Sequence, residues 1–327
     1  MENAKVHPFP ANKEESGRFC PENGMNTLYL SELMKKEGYP NECISSLIAD
    51  YGALLGHPVT KGILRSYGEE YAAGKSFSFY DASCLLAEQG RQAGVHPYAS
   101  EILFYLHLAP ILQEDYRKEG IPDRYFSGMM QGILCKLYEC HGMYDIWGSF
   151  VSVWFARFFN RSLYAIGRFE FCLMNSPADY EVCGKRVKKG QPLIDVHIPS
   201  RGRLSEQEMV ASYAEAADFF KKRAGLPEVV FHCESWLLAD FHEEFLREDG
   251  GIRLFAHRYA VVERTPDEGD LWRIFYKDAD LPPEALPEDT ALKRGYKKRL
   301  LLGKELYGGR GLFVYDEKVP PKSEEND

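Results

Sequence analysis

The chain has 327 residues, of which 45% are hydrophobic and 27% are charged, and its net charge at pH 7 is −9. This length is sufficient for two domains with separate cores, and the composition is typical of a soluble globular protein. The acidic balance argues against a nucleic-acid partner, and no apolar stretch is long enough to span a membrane, so we expect neither as a partner.

The cysteines indicate a reducing compartment. Eight cysteines are scattered along the chain without a CxxC pair, and the N-terminus lacks the apolar core of a signal peptide. We therefore expect reduced thiols in a cytoplasmic protein. The group Cys135, Cys140 and His141 lacks a second pair of ligands, so we predict no metal.

The first half of the chain has the pattern of helices. Between residues 25 and 160, apolar side chains recur at helical spacing, as at Leu103, Leu106 and Ile111. Breaks that contain glycine and proline separate these segments. The pattern predicts six or seven short helices packed together, and few catalytic residue types cluster in them. We assign residues 1–155 to an all-helical N-terminal domain.

The second half changes to the alternation of strands. Phe169 and Phe171 alternate with Arg168 and Glu170, which predicts a strand over residues 163–174. The elements predicted after it are a hairpin at 180–187, a strand at 193–198, a helix at 206–223, a strand at 229–233, a helix at 236–247, a hairpin of 252–263 with 271–276, and a helix at 291–304. The glycine-rich run at 308–311 is predicted to be a loop.

This order predicts an α/β (α+β) domain over residues 156–318, in which a mixed sheet carries helices on its faces. The strands at 193–198 and 229–233 should be parallel, because a helix crosses between them. The charged residues 319–327 are predicted to form a disordered tail.

A basic turn between the strand at 193–198 and the following helix has the character of a phosphate site. Ser205 is placed to cap the helix, with Glu208 completing a capping box. Free backbone N–H groups and the helix dipole favour an anion there, and glycine lets the backbone approach it. The alternative is a pair of solvated arginines in a surface turn. The candidate ligands are Ser200, Arg201, Gly202, Arg203, Leu204 and Ser205.

His197 is the candidate general base, and Asp195 is its candidate partner. They alternate with Ile194 and Val196, and therefore share one face of their strand. His197 stands at the carboxyl end, where ligands of open α/β sheets bind, and an imidazole there would suit a general base. The alternative is a hydrogen-bonded structural pair.

Cys233 and Ser235 close the second parallel strand and are candidates for direct chemistry. A thiol there could act as a nucleophile, but cysteine is also a common small buried residue. His232 precedes Cys233 and points to the opposite face, so it is a poor partner for the thiol. Ser235 is placed to cap the next helix, and we favour packing and capping for this pair. If two bound substrates react directly with each other, the protein itself need not supply a nucleophile.

Two further features have structural interpretations that we prefer. The basic run of Lys185, Arg186, Lys188 and Lys189 is typical of a solvated hairpin tip, although it could reach the 3′-phosphate of a nucleotide. Trp236 is expected to anchor the following helix to the sheet, and its alternative is one wall of a ligand pocket.

The phrases DVHIPSRGRLSEQE and FHCESWLL, and the predicted domain order, resemble the GNAT-like acyltransferase family, in which a helical N-terminal domain precedes a GNAT-like C-terminal domain. The resemblance covers residues 26–315. It implies that acyl-CoA lies between the two parallel strands, which splay apart, with its pyrophosphate on the loop Ser200 to Ser205. The sequence departs from the superfamily pattern at Pro199 and Leu204 of this loop, and it has no tyrosine between residues 236 and 247.

The resemblance implies an acyltransferase that moves an acyl group, which we expect to be acetyl, from acyl-CoA to a small-molecule acceptor with an amine or hydroxyl group. Acetyl-CoA or another acyl-CoA is then the co-substrate. The alternative is a non-catalytic protein that uses the fold to bind CoA or another anion, or to dock a protein. The sequence leaves the oligomeric state open and allows a homo-oligomer.

Overall fold

The computed structural model describes residues 26–266 and 270–316. The chain divides into two compact units between Ser162 and Leu163. The predicted tail at 319–327 lies outside the described residues. In the described part of the chain, no helix is both long enough and apolar enough to cross a membrane.

The first unit is helical, as predicted. Its α-helices are α1 (Thr27–Lys36), α2 (Asn41–Gly56), α3 (Pro58–Ala72), α4 (Phe79–Gly90), α5 (Pro97–Lys118), α6 (Asp123–Tyr144) and α7 (Ala156–Phe159), with 3₁₀ turns at Arg91–Ala93 and Ser152–Phe155. Helices α5 and α6 have 22 residues each, so they are longer than the short helices that we expected.

Helix α5 is the centre of this unit. Every residue from Ile102 to Leu112 is buried, which is the pattern of a helix surrounded by others. One polar side chain in this stretch, His107, bonds through Nδ1 to the Tyr51 hydroxyl at 2.8 Å and through Nε2 to the Leu64 carbonyl oxygen at 3.0 Å. Burial lowers the pKa of His107 to about 4.

The second unit is built on a mixed sheet, as predicted. Its strands are β1 (Leu163–Ile166), β2 (Phe169–Asn175), β3 (Tyr180–Val182), β4 (Lys185–Val187), β5 (Pro192–His197), β6 (Val230–Ser235), β7 (Ala260–Pro266) and β8 (Tyr307–Val314). The main sheet has the order β1-β2-β5-β6-β8-β7, and β3 and β4 form a separate hairpin. Strands β5 and β6 are parallel, and the other pairs are antiparallel.

The helices of this unit are α8 (Glu206–Ala224), α9 (Gly251–Ala256), α10 (Leu271–Phe275) and α11 (Ala291–Leu301). Short 3₁₀ turns lie at Trp236–Leu238, Asp240–Glu244, Tyr276–Asp278 and Pro283–Ala285. Helix α8 is capped at its start by Ser205, whose Oγ accepts a hydrogen bond from the Glu208 amide at 3.4 Å. At its end the cap is Gly225, which has a φ of +63°. Both ends lie where the capping residues of the sequence predict them.

The two faces of the sheet differ in character. On one face, Tyr213 of α8 packs its ring against Phe169, Phe171, Phe231 and Phe313. Successive strand residues face opposite sides, so the residues between these phenylalanines point away from α8. On that opposite face lies an apolar cluster that includes Leu193 and Val230, and beside it several polar side chains, among them Glu170, Cys172, Asp195, His197 and His232. The sequence of the strands therefore collects polar side chains on the face away from α8.

Four predicted elements in this unit are wrong, and the first three concern strands and helices. Residues 163–174 are two strands, because Gly167 adopts a φ of +61° and turns the chain between β1 and β2. Residues 236–247 form two 3₁₀ turns instead of one helix, because Ala239 between them has extended backbone. Residues 252–263 and 271–276 form no hairpin, since β7 pairs with β8.

The glycine-rich run at 308–311 is part of strand β8 and not the predicted loop. A Cβ at Gly309 would lie 3.0 Å from Cβ of Leu238, and one at Gly311 would lie 2.8 Å from Cβ of Tyr259. Side chains of Leu238 and Tyr259 therefore pack directly against the backbone of β8, and close packing of this kind is a usual reason for glycine inside a strand. Composition alone suggested a loop because glycine is depleted in strands.

Candidate active site

The parallel ladder between β5 and β6 is short. Among the described residues it consists of two pairs, Ile194 with Phe231 and Asp195 with His232, although each strand has six residues. Both strands continue towards their carboxyl ends after the ladder stops. Beyond Asp195 and His232, the described residues of these two strands have no further register pairs with each other.

Asp195 lies between two histidines at this point. Its Oδ2 is 3.1 Å from Nε2 of His197, and its Oδ1 is 2.7 Å from Nδ1 of His232. The alternation along β5 places His197 on the same face, and the parallel register places His232 beside Asp195. The side chains of His197 and Asp195 are 26% and 17% exposed, and that of His232 is 5% exposed.

The histidines control the charge of Asp195. Burial alone would raise the pKa of the Asp195 carboxyl, but the charge and hydrogen bond of His197, followed by those of His232, hold this pKa below its ordinary value. The carboxylate can only accept hydrogen bonds, so Nε2 of His197 and Nδ1 of His232 are the donors. Asp195 therefore holds His197 in the tautomer whose lone pair is on Nδ1.

The sequence missed two members of this group. His232 was set aside because it points away from Cys233, and its position beside Asp195 depends on the register between β5 and β6. Cys172 on β2 pairs with Asp195, and its Sγ lies 4.0 Å from Oδ2 of Asp195 and 3.8 Å from Nε2 of His197. The signal in the sequence was weak, since it consisted of polar residues at alternate positions on three strands.

The loop between β5 and α8 has the features expected of an anion site. Gly202 has a φ of +57° and open space around it, and Ser200, Gly202 and Arg203 are exposed. Arg201 is half-buried, and its Nη2 donates a hydrogen bond to the Gly167 carbonyl oxygen at 2.8 Å. Leu204 and Ser205 are half-buried at the start of α8.

A buried arginine outside the predicted site holds this loop in place. Arg168 is 4% exposed, and its Nη1 donates to the Pro199 carbonyl oxygen at 3.0 Å, with Nη2 at 3.5 Å from the Gly202 carbonyl oxygen. Its backbone N–H donates to Ser212 Oγ at 2.6 Å. The turn between β1 and β2 and the basic loop are thus linked in both directions, through Arg168 and through Arg201.

Acidic groups lie close to the same loop. Glu206 and Glu208 occupy the first turn of α8, where they compete with an external anion for the positive end of the helix. Glu206 forms an ion pair with Arg258, which offsets its charge. Of the charged side chains at this loop, Arg168, Arg201 and Arg203 favour an anion, whereas Glu208 opposes it.

The structure gives Cys233 and Ser235 the packing and capping positions that we favoured. Cys233 is fully buried on the face towards α8, and burial, with the negative charges of Asp195 and Glu234, raises the pKa of its thiol well above the ordinary value. A thiolate nucleophile is disfavoured there. Ser235 Oγ accepts a hydrogen bond from the Leu237 amide at 3.1 Å and caps the 3₁₀ turn.

The remaining candidates lie in structural settings. In the basic run at the β3–β4 hairpin, Lys185 pairs with Glu228 and Arg186 with Asp179. The ring of Trp236 packs against those of His242 and Tyr296. In the helical unit Cys135 and Cys140 are buried, and His141 stacks on Trp147 with ring centroids 4.2 Å apart.

Comparisons with known proteins agree with this architecture. A model of the family described as GNAT-like C-terminal domain matches residues 163–313. A search of curated proteins found no match.

Solved structures of acyltransferases are similar over most of the chain. One, in complex with decanoyl-CoA and teicoplanin, has a TM-score of 0.67 at 19% identity and covers 87% of each chain. A mutant acyltransferase in complex with octanoyl-CoA has a TM-score of 0.66 at 17% identity and covers 88% of each chain. At these identities the likeness establishes the fold. With the family match, it confirms the predicted resemblance to the GNAT-like family, whose C-terminal domain model residues 163–313 of this chain match.

Proposed function

We propose that this protein is an acyltransferase that moves an acyl group from acyl-CoA directly to a small acceptor with an amine or hydroxyl group. The observation that carries the proposal is the position of the Asp195–His197 pair. It lies where the parallel ladder ends, and the basic loop begins three residues after His197. At the end of one strand, an anion site could bind the pyrophosphate of an acyl-CoA, and a base could act near its thioester.

The loop would hold the pyrophosphate of the donor. Backbone N–H groups at the start of α8 would donate to the phosphate oxygens, and Arg201 and Arg203 would add charge-assisted hydrogen bonds. The pantetheine arm would lie beyond Asp195 and His232, where the ladder between β5 and β6 ends. The amides of the arm could form hydrogen bonds with backbone groups of the two strands there. The similar acyltransferases that were solved with decanoyl-CoA and octanoyl-CoA support a donor of this class.

His197 would act as the general base. The acceptor nitrogen or oxygen attacks the thioester carbonyl while its proton passes to Nδ1 of His197, and CoA leaves as the thiolate, which takes a proton to become the free thiol. Asp195 orients the imidazole and stabilises the charge that it gains. His232 holds the second oxygen of Asp195, and thus fixes the direction of the carboxylate. No step needs Cys233 or Ser235 as a nucleophile.

The acyl chain and the acceptor are the open variables. Acetyl is the chain that we expect from the sequence, whereas the similar structures hold octanoyl-CoA and decanoyl-CoA. The acceptor screen should include teicoplanin as well as simple amines and alcohols, because one similar structure contains it.

Calorimetric titration with acetyl-, octanoyl- and decanoyl-CoA tests the donor site. Arg203→Ala should weaken the binding of every donor that binds, because it removes a charge beside the phosphates. Arg65→Ala, at an exposed arginine of α3 in the helical unit, is the matched control and should bind like the wild type. Equal affinities in all three proteins would rule out the loop as the pyrophosphate site.

Release of free CoA in the presence of acceptors tests the base. His197→Ala should lower kcat by about 10²- to 10⁴-fold, the usual contribution of a general base, while acyl-CoA affinity stays within a few-fold of the wild type. Unchanged turnover in this variant would remove His197 from the mechanism.

A protein that binds CoA without turnover is the second candidate. The loop departs from the superfamily pattern at Pro199 and Leu204, and Glu206 and Glu208 add negative charge next to it. Donor binding that depends on Arg203, with no CoA release for any acceptor, would favour this function.

A further inference from the structure

Three side chains of types that can bind a metal ion meet on the face of the sheet away from α8. Sγ of Cys172, a carboxylate oxygen of Asp195 and a ring nitrogen of His197 all lie within 4.8 Å of one another. Cys172 is on β2 and the other two are on β5, and the antiparallel register brings them to the same face. The sequence spacing did not connect Cys172 with Asp195 and His197, because it belongs to a different strand.

The separations suit one tetrahedral ion. The distances are 3.8 Å from Sγ to Nε2 of His197, 4.0 Å from Sγ to Oδ2 of Asp195, and 3.1 Å from Oδ2 to Nε2. Zinc bonds of about 2.3 Å to sulfur and about 2.0 Å to nitrogen and oxygen imply ligand separations of roughly 3.3 to 3.6 Å at tetrahedral angles. Shifts of a few tenths of an ångström would bring the three atoms into position.

The surroundings also match those of a metal site. The other carboxylate oxygen, Oδ1, accepts a hydrogen bond from His232 at 2.7 Å, so Oδ2 is directed towards Cys172 and His197. Such support from a second layer of residues orients metal ligands and raises affinity. Partial exposure of the Asp195 and His197 side chains gives an ion a route from solvent.

We propose that Cys172, Asp195 and His197 bind one Zn²⁺ ion and that zinc turns off acyl transfer. A thiolate, an imidazole and a carboxylate together favour zinc over magnesium or calcium, which prefer oxygen ligands. Three protein ligands leave the fourth position to water. The inhibitory part of this inference rests on the proposed function, whereas the zinc site itself does not.

The inhibition follows from the position of one proton. On binding, the Cys172 thiol releases its proton to solvent as the zinc–sulfur bond forms. Zinc takes the lone pair of Nε2 in His197, so the ring proton must lie on Nδ1. Nδ1 is the nitrogen that accepts the acceptor's proton in the proposed reaction. A zinc-bound His197 therefore has no lone pair for the base, and no oxidation or reduction is involved.

Zinc binding is measured on the full chain after treatment with a chelator, by competition with a chromophoric chelator. The wild type should bind one equivalent at this site. Cys172→Ser should weaken that binding by at least about 100-fold, because loss of a direct ligand should exceed the 10- to 100-fold cost of losing an outer partner. Cys183→Ser, at an exposed cysteine, is the matched control and should bind like the wild type.

Cobalt provides a readout that needs no variant. Co²⁺ at this site should give tetrahedral visible bands and a thiolate charge-transfer band in the near ultraviolet. Absence of that band in the wild type, or equal zinc affinity in wild type and Cys172→Ser, would overturn the site even if the variant folds poorly.

The activity arm separates this inference from the proposed function. Zinc should inhibit CoA release by the wild type with the affinity found in the binding assay, and a chelator should restore the rate. Binding of zinc without inhibition would retain the metal site and reject His197 as the base. Acyl transfer without any zinc binding would reject the metal site and leave the proposed acyltransferase function standing.

Discussion

The carboxylate of Asp195 connects the two histidines, and its substitution gives a sharp test at the level of single residues. Asp195→Asn keeps the shape, but the amide can donate where the carboxylate only accepts, so it no longer selects the His197 tautomer with the lone pair on Nδ1. We expect kcat to fall by about 10²- to 10⁴-fold. Acyl-CoA affinity, measured by calorimetry, should change little, and a variant with wild-type kcat would show that the tautomer is irrelevant.

His232 should act through Asp195, and a pair of variants distinguishes this positioning role from packing. Asn at position 232 places an amide nitrogen close to where Nδ1 lies, and can keep the hydrogen bond to Oδ1. Leu fills a similar volume without a donor. We therefore expect His232→Asn to retain more turnover than His232→Leu, with the difference in kcat and not in acyl-CoA affinity. Equal kcat values would mean that His232 only fills space.

At the level of elements, we expect the shape of the basic loop at residues 200–205 to depend on Arg168 as much as on its own residues. Arg168→Met removes the bonds to the Pro199 and Gly202 carbonyl oxygens while it keeps the apolar stem. We expect acyl-CoA binding to weaken about tenfold, which corresponds to about 1.4 kcal/mol, the order expected for hydrogen bonds from a charged group. Arg168→Lys should not restore affinity, because a single ammonium group lacks the planar fork that reaches both carbonyls.

The measurement is calorimetry of each variant with the best acyl-CoA donor, with circular dichroism as the check on folding. Wild-type affinity in a folded Arg168→Met protein would show that the loop keeps its shape without this arginine.

The sequence was informative where local chemistry determines the element. Helix α8 could be predicted from its cap Ser205, its stop Gly225 and its buried stripe, all of which are short-range signals. Strand β8 could not, because its glycines answer to Leu238 and Tyr259, which reach it only in the folded sheet. The site divided in the same way: Asp195 and His197 lie two residues apart, whereas Cys172 and His232 join them through strand register.

Two glycines test this explanation of β8. Gly311→Ala places a Cβ 2.8 Å from Cβ of Tyr259 and should destabilise the protein by about 1–3 kcal/mol, as overpacking does. Gly52→Ala, at an exposed position of α2 with open space around it, should stabilise it by about 0.5–1 kcal/mol. Urea denaturation gives both values. A neutral Gly311→Ala would mean that the strand glycines are not required by close packing.

At the level of the whole molecule, each unit contains a buried histidine that makes stability depend on pH. His107 lies in the helical unit, and His242, whose Nε2 is 3.0 Å from the Tyr296 hydroxyl, lies in the sheet unit. Burial lowers the pKa of each to about 4, against an ordinary value of 6.5. As the pH falls from 6.5 to 4, the unfolded chain takes up protons that the folded one refuses. The stability due to these neutral histidines is therefore complete above pH 6.5 and is lost towards pH 4.

We expect each histidine to lower the free energy of unfolding by about 2 kcal/mol between pH 7 and pH 5, from the linkage between pKa and stability. Urea denaturation at the two pH values, followed by far-ultraviolet circular dichroism, measures the total. His107→Gln should lower stability at pH 7 and remove its share of the pH dependence, because glutamine does not titrate. His257→Gln, at an exposed histidine, is the matched control and should keep the wild-type difference. If His107→Gln keeps the full difference between pH 7 and pH 5, the acid sensitivity of the helical unit does not come from its central helix.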